Sequence, residues 1–218
     1  FILKTNQDSI QYPSADDIFA TDFLSVHNAI KPKIDTGNYH FNVSEILDCC
    51  ASGDSLSHEM ALEVGLLHQL TRGDEHTVNV FGSWDYLSHQ VIASPFKPID
   101  YMVKMDVFGY AYIPGFEAIS RYLVAELKRG TAELQDVEQL MKYVDFINAE
   151  YAYGDYSMIH AFLVAHNFSD TLVNELGKIG LRRYITGMRP AQSKQWSNIK
   201  LVKYRYNPRR LRLEFEEI

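Results

Sequence analysis

The sequence predicts an α+β fold that is rich in helix, with short strands and a β-hairpin at its C-terminal end. Apolar residues recur at helical spacing over several stretches, and the residues near the C-terminus alternate between apolar and charged side chains. Of the 218 residues, 46% are hydrophobic and 22% are charged, as in an ordinary globular protein. We therefore expect one domain over residues 1–218, with a mainly helical, acidic body at 1–190 and a basic C-terminal β-hairpin at 191–218.

The helices of the body are predicted from apolar stripes and from residues that cap helix ends. Apolar spacing predicts helices over residues 14–30, 44–50, 56–71, 115–130 and 131–151. Asp155 and Ser169 are suitable N-caps for two further helices, over 156–167 and 170–188. Gly73 follows the helix at 56–71 in the position where glycine commonly ends a helix.

The strands are predicted to be short and few. Candidates are residues 38–43 and 77–81, together with a stretch from Ser94 to Gly115 that we expect to bend at Gly109. Two strands on either side of Asn207-Pro208 form the predicted hairpin. In its second strand Leu211, Leu213 and Phe215 alternate with charged residues, as in a strand with one buried face.

The composition indicates in which cellular compartment the protein works. Its two cysteines, Cys49 and Cys50, are adjacent, which excludes a disulfide framework and fits a reducing environment. No apolar run approaches 18 residues, and the first residues lack the pattern of a signal peptide. We therefore expect a soluble protein of the cytoplasm or of an assembled particle, without a membrane partner.

The residues that could bind a metal or act as a nucleophile do not form a known motif. His58-Glu59 begins like the helical zinc-protease motif, but Leu62 stands where the second histidine should be. Cys49 and Cys50 lie in an apolar helical turn, where free cysteine usually packs as a small hydrophobe. We expect no metal, no cofactor and no reactive thiol.

One segment permits an enzymatic alternative. A strand that ends at Gly82-Ser83 before a helix is how nucleotidyltransferases hold a triphosphate, and such enzymes place two nearby carboxylates on a following strand. Here the candidates, Asp100 and Asp106, are six residues apart and too distant for one metal ion on an extended strand. The other carboxylates lie mainly at helix starts and single out no acid and base. The sequence therefore favours a protein without catalytic activity.

Charge is sorted along the chain. Residues 178–213 contain eleven Lys or Arg and no Asp or Glu, whereas residues 1–177 contain ten basic and 25 acidic side chains. The basic stretch could pair with the acidic body of the same chain, in surface ion pairs that are weak individually. It could also bind nucleic acid, since aromatic residues alternate with the basic ones.

The hypothesis that this sorting favours is assembly. A subunit that is acidic over its body and basic at one hairpin is complementary to a copy of itself, or to another protein, and a viral or phage particle is one setting for such a subunit. Nucleic-acid binding through residues 178–213 is the alternative, and a nucleotidyltransferase-like enzyme around Gly82-Ser83 is the second alternative. The expected interaction residues, for protein or nucleic acid, are Lys200, Lys203, Tyr204, Arg205, Tyr206, Arg209, Arg210 and Arg212.

Overall fold

A mixed six-stranded sheet lies at the centre of the structure, a computed structural model that describes residues 42–93 and 104–218. Of these residues 41% are in strands and 34% in helices. The α+β class is therefore right in general, but the prediction that helix dominates is wrong. The predicted helix at 14–30 and most of the predicted strand at 38–43 lie outside the described residues. That residues 1–218 form a single domain stays a prediction.

Helices and groups of consecutive strands are interspersed along the chain. Five helices are described: α1 Val43–Cys49, α2 Glu59–Thr71, α3 Glu75–Phe81, α4 Leu134–Glu150 and α5 Asp170–Ile179. The strands are β1 Ala51–Ser52, β2 Ser55–Leu56, β3 Tyr86–Ile92, β4 Lys104–Tyr112, β5 Ile119–Ala132, β6 Ile159–Phe168, β7 Arg182–Thr186, β8 Gln192–Trp196, β9 Ile199–Asn207 and β10 Arg212–Glu217. None of these helices is long and apolar enough to cross a membrane.

The central sheet has the strand order β10-β9-β6-β5-β4-β3. The inner strands β5, β6 and β9 are parallel, and the outer pairs β3–β4, β4–β5 and β9–β10 are antiparallel. The short pairs β1–β2 and β7–β8 form separate two-stranded sheets. The predicted C-terminal hairpin therefore exists as β9–β10, but it belongs to the central sheet.

Helices cover both faces of the sheet. On one face, apolar residues of α4 and α5 pack against Val124, Leu163 and Ile199 of the inner strands. On the other face, α1, α2 and α3 pack against Leu123 and Phe162 of the same strands. The sheet thus lies between two apolar layers, which is the usual arrangement where parallel strands occupy the centre.

This double coverage explains why two strands were predicted as helices. Residues 115–130 and 156–167 contain β5 and β6, whose central side chains are buried on both faces. Such strands carry a continuous apolar run, which matches helical spacing as well as it matches a strand. The predicted helices over these two ranges are therefore wrong. The helix predicted at 170–188 also ends early, because α5 stops at Ile179 and β7 follows.

The opposite error occurs at residues 77–81. The predicted strand is the helix α3, which begins after Asp74, whose side chain accepts a hydrogen bond from the backbone N–H of Thr77 at 3.0 Å. Gly82 ends this helix with a φ of 85°. The helices predicted at 44–50, 56–71 and 131–151 correspond to α1, α2 and α4.

Candidate active site

Three polar side chains form a row across the strands β3, β4 and β5. The β3–β4 register places Gln90 opposite Asp106, and the β4–β5 register, extended by one residue, places Asp106 opposite Glu126. The residues directly before and after Asp106 and Glu126 are apolar and buried. The row is therefore a polar interruption of a buried sheet, and buried polar groups require specific partners.

The ladder between β4 and β5 stops at this row. The carboxylate of Asp106 accepts a hydrogen bond from the backbone N–H of Leu127, with Oδ2 at 2.8 Å from the nitrogen. The side chain thus satisfies a donor that the neighbouring backbone leaves free. Asp106 is consequently fixed against β5, close to the start of the sequence Glu126-Leu127-Lys128.

Glu126 is the most deeply buried carboxylate of the site, with only 1% of its surface exposed. One oxygen, Oε1, lies 2.6 Å from Lys128 Nζ, whereas Oε2 is buried without a hydrogen-bond partner among the described residues. Burial, together with the nearby charge of Asp106, raises the pKa of Glu126 to about 8. Oε2 of Glu126 can therefore bind either a proton or a cation.

Lys128 follows two residues later and lies on the same face of β5 as Glu126. Its ammonium group contacts Glu126 and is 3.7 Å from Asp136 Oδ1 at the start of α4, and 23% of its side chain is exposed. Burial acts to lower the pKa of Lys128, but the hydrogen bond to Glu126 and the negative charges of Glu126, Asp136 and Glu59 together outweigh it, and the pKa is raised. Lys128 is therefore positively charged and reaches the surface beside the two carboxylates.

Helix α2 contributes a third carboxylate. Glu63 is buried, with 3% exposure, and its Oε2 accepts a hydrogen bond of 3.0 Å from Gln90 Nε2. The same amide nitrogen is 3.3 Å from Asp106 Oδ1, so Gln90 bridges the two carboxylates. The exposed ring of His89 lies over this pair, with Nδ1 at 2.6 Å from Glu63 Oε1.

These neighbours raise the pKa of Asp106. The largest cause is burial, which disfavours the charged carboxylate, and the negative charge of Glu63 acts in the same direction. The bond from Leu127 N–H and the charge of Lys128 oppose the shift without cancelling it. Asp106 and Glu126 are thus two neighbouring carboxylates whose pKa values are both raised, mainly by burial.

Helix α4 closes the site from below with a buried tyrosine. Tyr143 is fully buried, and its hydroxyl donates to the Lys104 carbonyl at 2.8 Å and accepts from Gln139 Nε2 at 2.7 Å. Burial and the negative charge of Glu126 raise the pKa of Tyr143. The hydroxyl therefore stays protonated, and its hydrogen bond to the Lys104 carbonyl holds α4 against the start of β4.

The donor set fits a hard divalent cation. In the described part of the chain no three His, Cys, Asp or Glu side chains are arranged as a set of metal ligands. Mg²⁺, however, is commonly held by one or two carboxylates, with water and substrate phosphate as its other ligands. Asp106 and Glu126 supply such a pair of carboxylates. Oε2 of Glu126 accepts no hydrogen bond in the described residues, and a cation there would balance its negative charge.

The predicted interaction residues lie elsewhere, on β9 and β10. Tyr204 and Tyr206 are 0% and 2% exposed, and their rings belong to the core beneath α1–α3. Four of the six basic residues are in ion pairs at their side chains. These pairs are Lys200–Glu217 at 2.8 Å, Arg205–Asp54 at 3.1 Å, Arg210–Glu214 at 3.7 Å and Arg212–Asp74 at 2.9 Å. Lys203 and Arg209 form no ion pair with the residues that the structure describes. That these eight residues contact a partner stays a prediction.

The alternative site at Gly82-Ser83 also differs from its prediction. Gly82 follows a helix, α3, where the proposed triphosphate site needs a strand before it and a helix after it. The strand β3 begins four residues later. Asp100 lies outside the described residues, and Asp106 belongs to the row described above.

No family model and no curated protein matches this chain. Two solved structures are similar to part of it. The crystal structure of a repair endonuclease from Pyrococcus abyssi is 25% identical over 53% of this chain and 42% of that chain, with a TM-score of 0.36. The structure of an EndoMS–dsDNA2 complex is 23% identical over 60% of this chain and 46% of that chain, with a TM-score of 0.34. The chain thus spans less than half the length of the structures it matches.

The prediction of a non-enzymatic assembly or virion protein is wrong. Its premise was a projecting basic hairpin, but β9 lies between β6 and β10 inside the central sheet, and most of the basic side chains are paired within the same chain. The structures that resemble the chain are a repair endonuclease and a DNA complex, and neither is a structural or assembly protein.

The sequence analysis missed the polar row although its residues were visible. Asp106 was considered only together with Asp100, and Glu126-Leu127-Lys128 was placed in a helix. The usable signal was a carboxylate and a lysine two residues apart inside the apolar run YLVAELK, which follows a strand that carries an aspartate. Charged residues inside a buried strand are seldom there for structure alone.

Proposed function

We propose that this protein hydrolyses phosphodiester bonds of nucleic acid with a divalent cation at Asp106 and Glu126. One observation carries the proposal. The carboxylate of Glu126 is almost fully buried beside a second carboxylate, and its Oε2 accepts no hydrogen bond in the described residues, although the Tyr143 hydroxyl interacts with this carboxylate. Lys128 compensates only the other oxygen, and a buried carboxylate that is partly satisfied is costly to keep. Such groups cluster where function requires them.

The cation would be bound by oxygen atoms of Asp106 and Glu126. A bound divalent cation polarises a phosphoryl oxygen and lowers the pKa of a coordinated water. The raised pKa values of both carboxyls are due mainly to burial and then to the negative charges of neighbouring carboxylates, which Lys128 offsets only in part, so a cation would be favoured there. Cation binding should therefore replace a proton at Glu126 Oε2.

Lys128 supplies the fixed positive charge of the site. Its Nζ donates to Glu126 and remains partly exposed, so a further N–H of the ammonium group is available to a phosphoryl oxygen or to the attacking water. A charge held in place stabilises the negative charge that develops on a phosphorane-like transition state. Lys128 thus orients the reacting group and stabilises its negative charge, and the two carboxylates would hold the cation.

Glu63 and Gln90 position the row. The Gln90 amide donates toward both Glu63 and Asp106, which keeps the Asp106 carboxylate turned toward β5. Gln90 has a φ of 53°, a conformation that residues other than glycine rarely adopt and that costs about 1 kcal/mol or more. Strain of this kind persists where the surrounding contacts determine the conformation, and here they direct one amide at two carboxylates.

Nucleic acid is the substrate that the charge distribution favours. Residues 178–213 contain eleven basic and no acidic side chains, and six of the eleven are in ion pairs with carboxylates of the same chain. The other five form no ion pair with the residues that the structure describes and can attract a polyanion: Arg183, Arg189, Lys194, Lys203 and Arg209. The two solved structures that are similar to part of the chain, a repair endonuclease and an EndoMS–dsDNA2 complex, agree with this substrate class.

The experiment is a cleavage assay with labelled single-stranded and double-stranded DNA and RNA, each with Mg²⁺, Mn²⁺ or EDTA. Cleavage should require the divalent cation. Glu126→Gln, Asp106→Asn and Lys128→Met should each reduce the rate at least about 100-fold, as expected for charged groups that act on the reacting atoms. Glu138→Gln, which changes an exposed carboxylate on α4, is the matched control and should cleave like the wild type.

Two results would contradict the proposal. One is a folded wild-type protein that cleaves none of the four substrates with either metal. The other is cleavage that persists in Glu126→Gln at the rate of the control, which would place the reaction at another site.

A further inference from the structure

The strands β7 and β8 form an arm that is separate from the central sheet. They pair with each other in a regular antiparallel register, and their loop spans residues 187–191. The base of the arm is fixed to the body. Arg182 makes two hydrogen bonds with Asp145 on α4, at 2.8 and 2.9 Å, and the indole N–H of Trp196 donates to the Ile159 carbonyl at 3.2 Å.

The far side of the arm is exposed and carries large apolar side chains. Along β7, residues 183 and 185 are exposed whereas residues 182, 184 and 186 are partly buried, so one face points to the body and the other to solvent. On the solvent side Ile185 is 72% exposed, and Met188 in the loop is 93% exposed. Apolar groups this exposed on an anchored ribbon are typical of a contact surface.

The charges of the arm are all positive. Residues 182–196 contain Arg182, Arg183, Arg189 and Lys194 and no acidic residue. Arg182 is neutralised by Asp145, but Arg183 and Arg189 are exposed and form no ion pair with any residue in the described ranges. Lys194 contributes to the lowered pKa of Asp155, after the hydrogen bond from Ser157. Two free arginines thus flank the apolar side chains.

We infer that this arm binds in a groove of duplex nucleic acid and holds the substrate against the body of the protein. The inference rests on the proposed function and specifies its substrate as a duplex. A two-stranded ribbon fits the major groove, which is about 12 Å wide. Arg183 and Arg189 would bind the phosphates on its rims, and Met188 would contact bases or sugars, since apolar side chains on such elements commonly insert there.

A protein partner fits the arm less well. A protein surface that matched the arm would need acidic groups around an apolar pocket. In this chain the carboxylates near the arm, Asp145 and Asp155, already form hydrogen bonds within the body. A nucleic-acid backbone offers a negative charge on each phosphate, without any specific arrangement of residues. The free arginines therefore favour the polyanion.

The test measures duplex affinity in the absence of cleavage. Fluorescence anisotropy with a labelled 20-base-pair duplex in EDTA compares the wild type with Arg183→Gln/Arg189→Gln and with Met188→Ala. Arg72→Gln/Lys142→Gln is the matched control, because it removes two exposed positive charges that lie outside the arm and outside residues 178–213. Losing two phosphate contacts should reduce the slope of log K against log salt by about 1.8, which is roughly a 60-fold loss at 0.1 M salt relative to 1 M.

The Met188→Ala variant should bind a few-fold more weakly and keep the wild-type salt slope, because it removes an apolar contact. If the arm double variant binds the duplex as the control does, the inference is wrong. It is also wrong if the variants change the mass of the protein in solution and leave duplex affinity unchanged, since the arm then binds protein.

Cleavage at saturating substrate separates this inference from the proposed function. The arm variants should keep the wild-type maximal rate and lose apparent affinity, whereas Glu126→Gln should lose the rate and keep the affinity. An inactive wild type that still binds duplex through the arm would contradict the proposed function alone.

Discussion

The buried carboxyl of Glu126 should make the stability of the protein fall as the pH rises. In the unfolded chain a glutamate has a pKa near 4.5, whereas in the folded protein burial raises the pKa of Glu126 to about 8. Between these values the folded protein holds a proton that the unfolded chain has released, so each increase in pH favours unfolding. The stability that this neutral carboxyl provides is complete below about pH 4.5 and is lost as the pH passes about 8.

The size of the effect follows from the two pKa values. A difference of about 3.5 units corresponds to a loss of up to about 5 kcal/mol in the free energy of unfolding, and relaxation around the charged group reduces it. In a protein of this size each kcal/mol changes the melting temperature by about 2–4 °C. The variant Glu126→Gln keeps the shape and removes the ionisation, so its stability should lack this component.

The assay is urea unfolding in EDTA at pH 5, 6, 7, 8 and 9, followed by circular dichroism. Stability should fall more steeply with pH in the wild type than in Glu126→Gln, and the difference between them isolates this residue from Asp106 and other groups. Addition of Mg²⁺ at pH 8 should restore stability to the wild type and not to the variant, because a cation that binds only the folded protein stabilises it. Parallel pH profiles for the two proteins would refute this account of the site.

Three further substitutions, with one exposed control, test the core and one helix start by urea unfolding. Tyr204→Phe removes a hydroxyl that donates to a backbone carbonyl of β5 at 2.6 Å and accepts from a backbone N–H of β2, and we expect a loss of about 1–3 kcal/mol; an unchanged midpoint would contradict the burial of these partners. Phe81→Ala removes a ring that packs at 4.9 and 5.1 Å from two others, and it should cost about 3–5 kcal/mol, whereas Phe116→Ala, which is 69% exposed, should be nearly neutral. Ser169→Ala removes the N-cap of α5 and should cost about 1 kcal/mol, and no change would mean that the cap is replaced by water.

The sequence predicted best the elements that have one buried face. The helix α4 carries acidic caps and an apolar stripe, and β10 alternates between buried Leu213 and Phe215 and outward charges. Both patterns report directly which face meets the core. The error at Leu211, which is 42% exposed, lies at the strand end, where the turn and not the sheet determines the backbone.

The elements buried on both faces could not be assigned in this way. In β5 and β6 a helix layer covers each side, so every residue of the central runs 122–127 and 161–165 is buried, and the period of two disappears. The same error hid the site. Once residues 115–130 were placed in a helix, Glu126 and Lys128 lay on different sides of it, and Asp106 had no visible partner. The pairing of β4 with β5 is a long-range contact that local spacing does not encode.

The left-handed backbone at Gln90 also affects how the molecule behaves in a crowded solution. In the described residues β3 has a strand neighbour only on its β4 side, and no described strand pairs with its other edge. A straight edge of this kind can accept a strand from another molecule and start aggregation. The φ of 53° at Gln90 interrupts the extended backbone in the middle of β3, which leaves two short segments in place of a seven-residue template. The residue that aligns two carboxylates thereby also protects the sheet from unwanted strand addition.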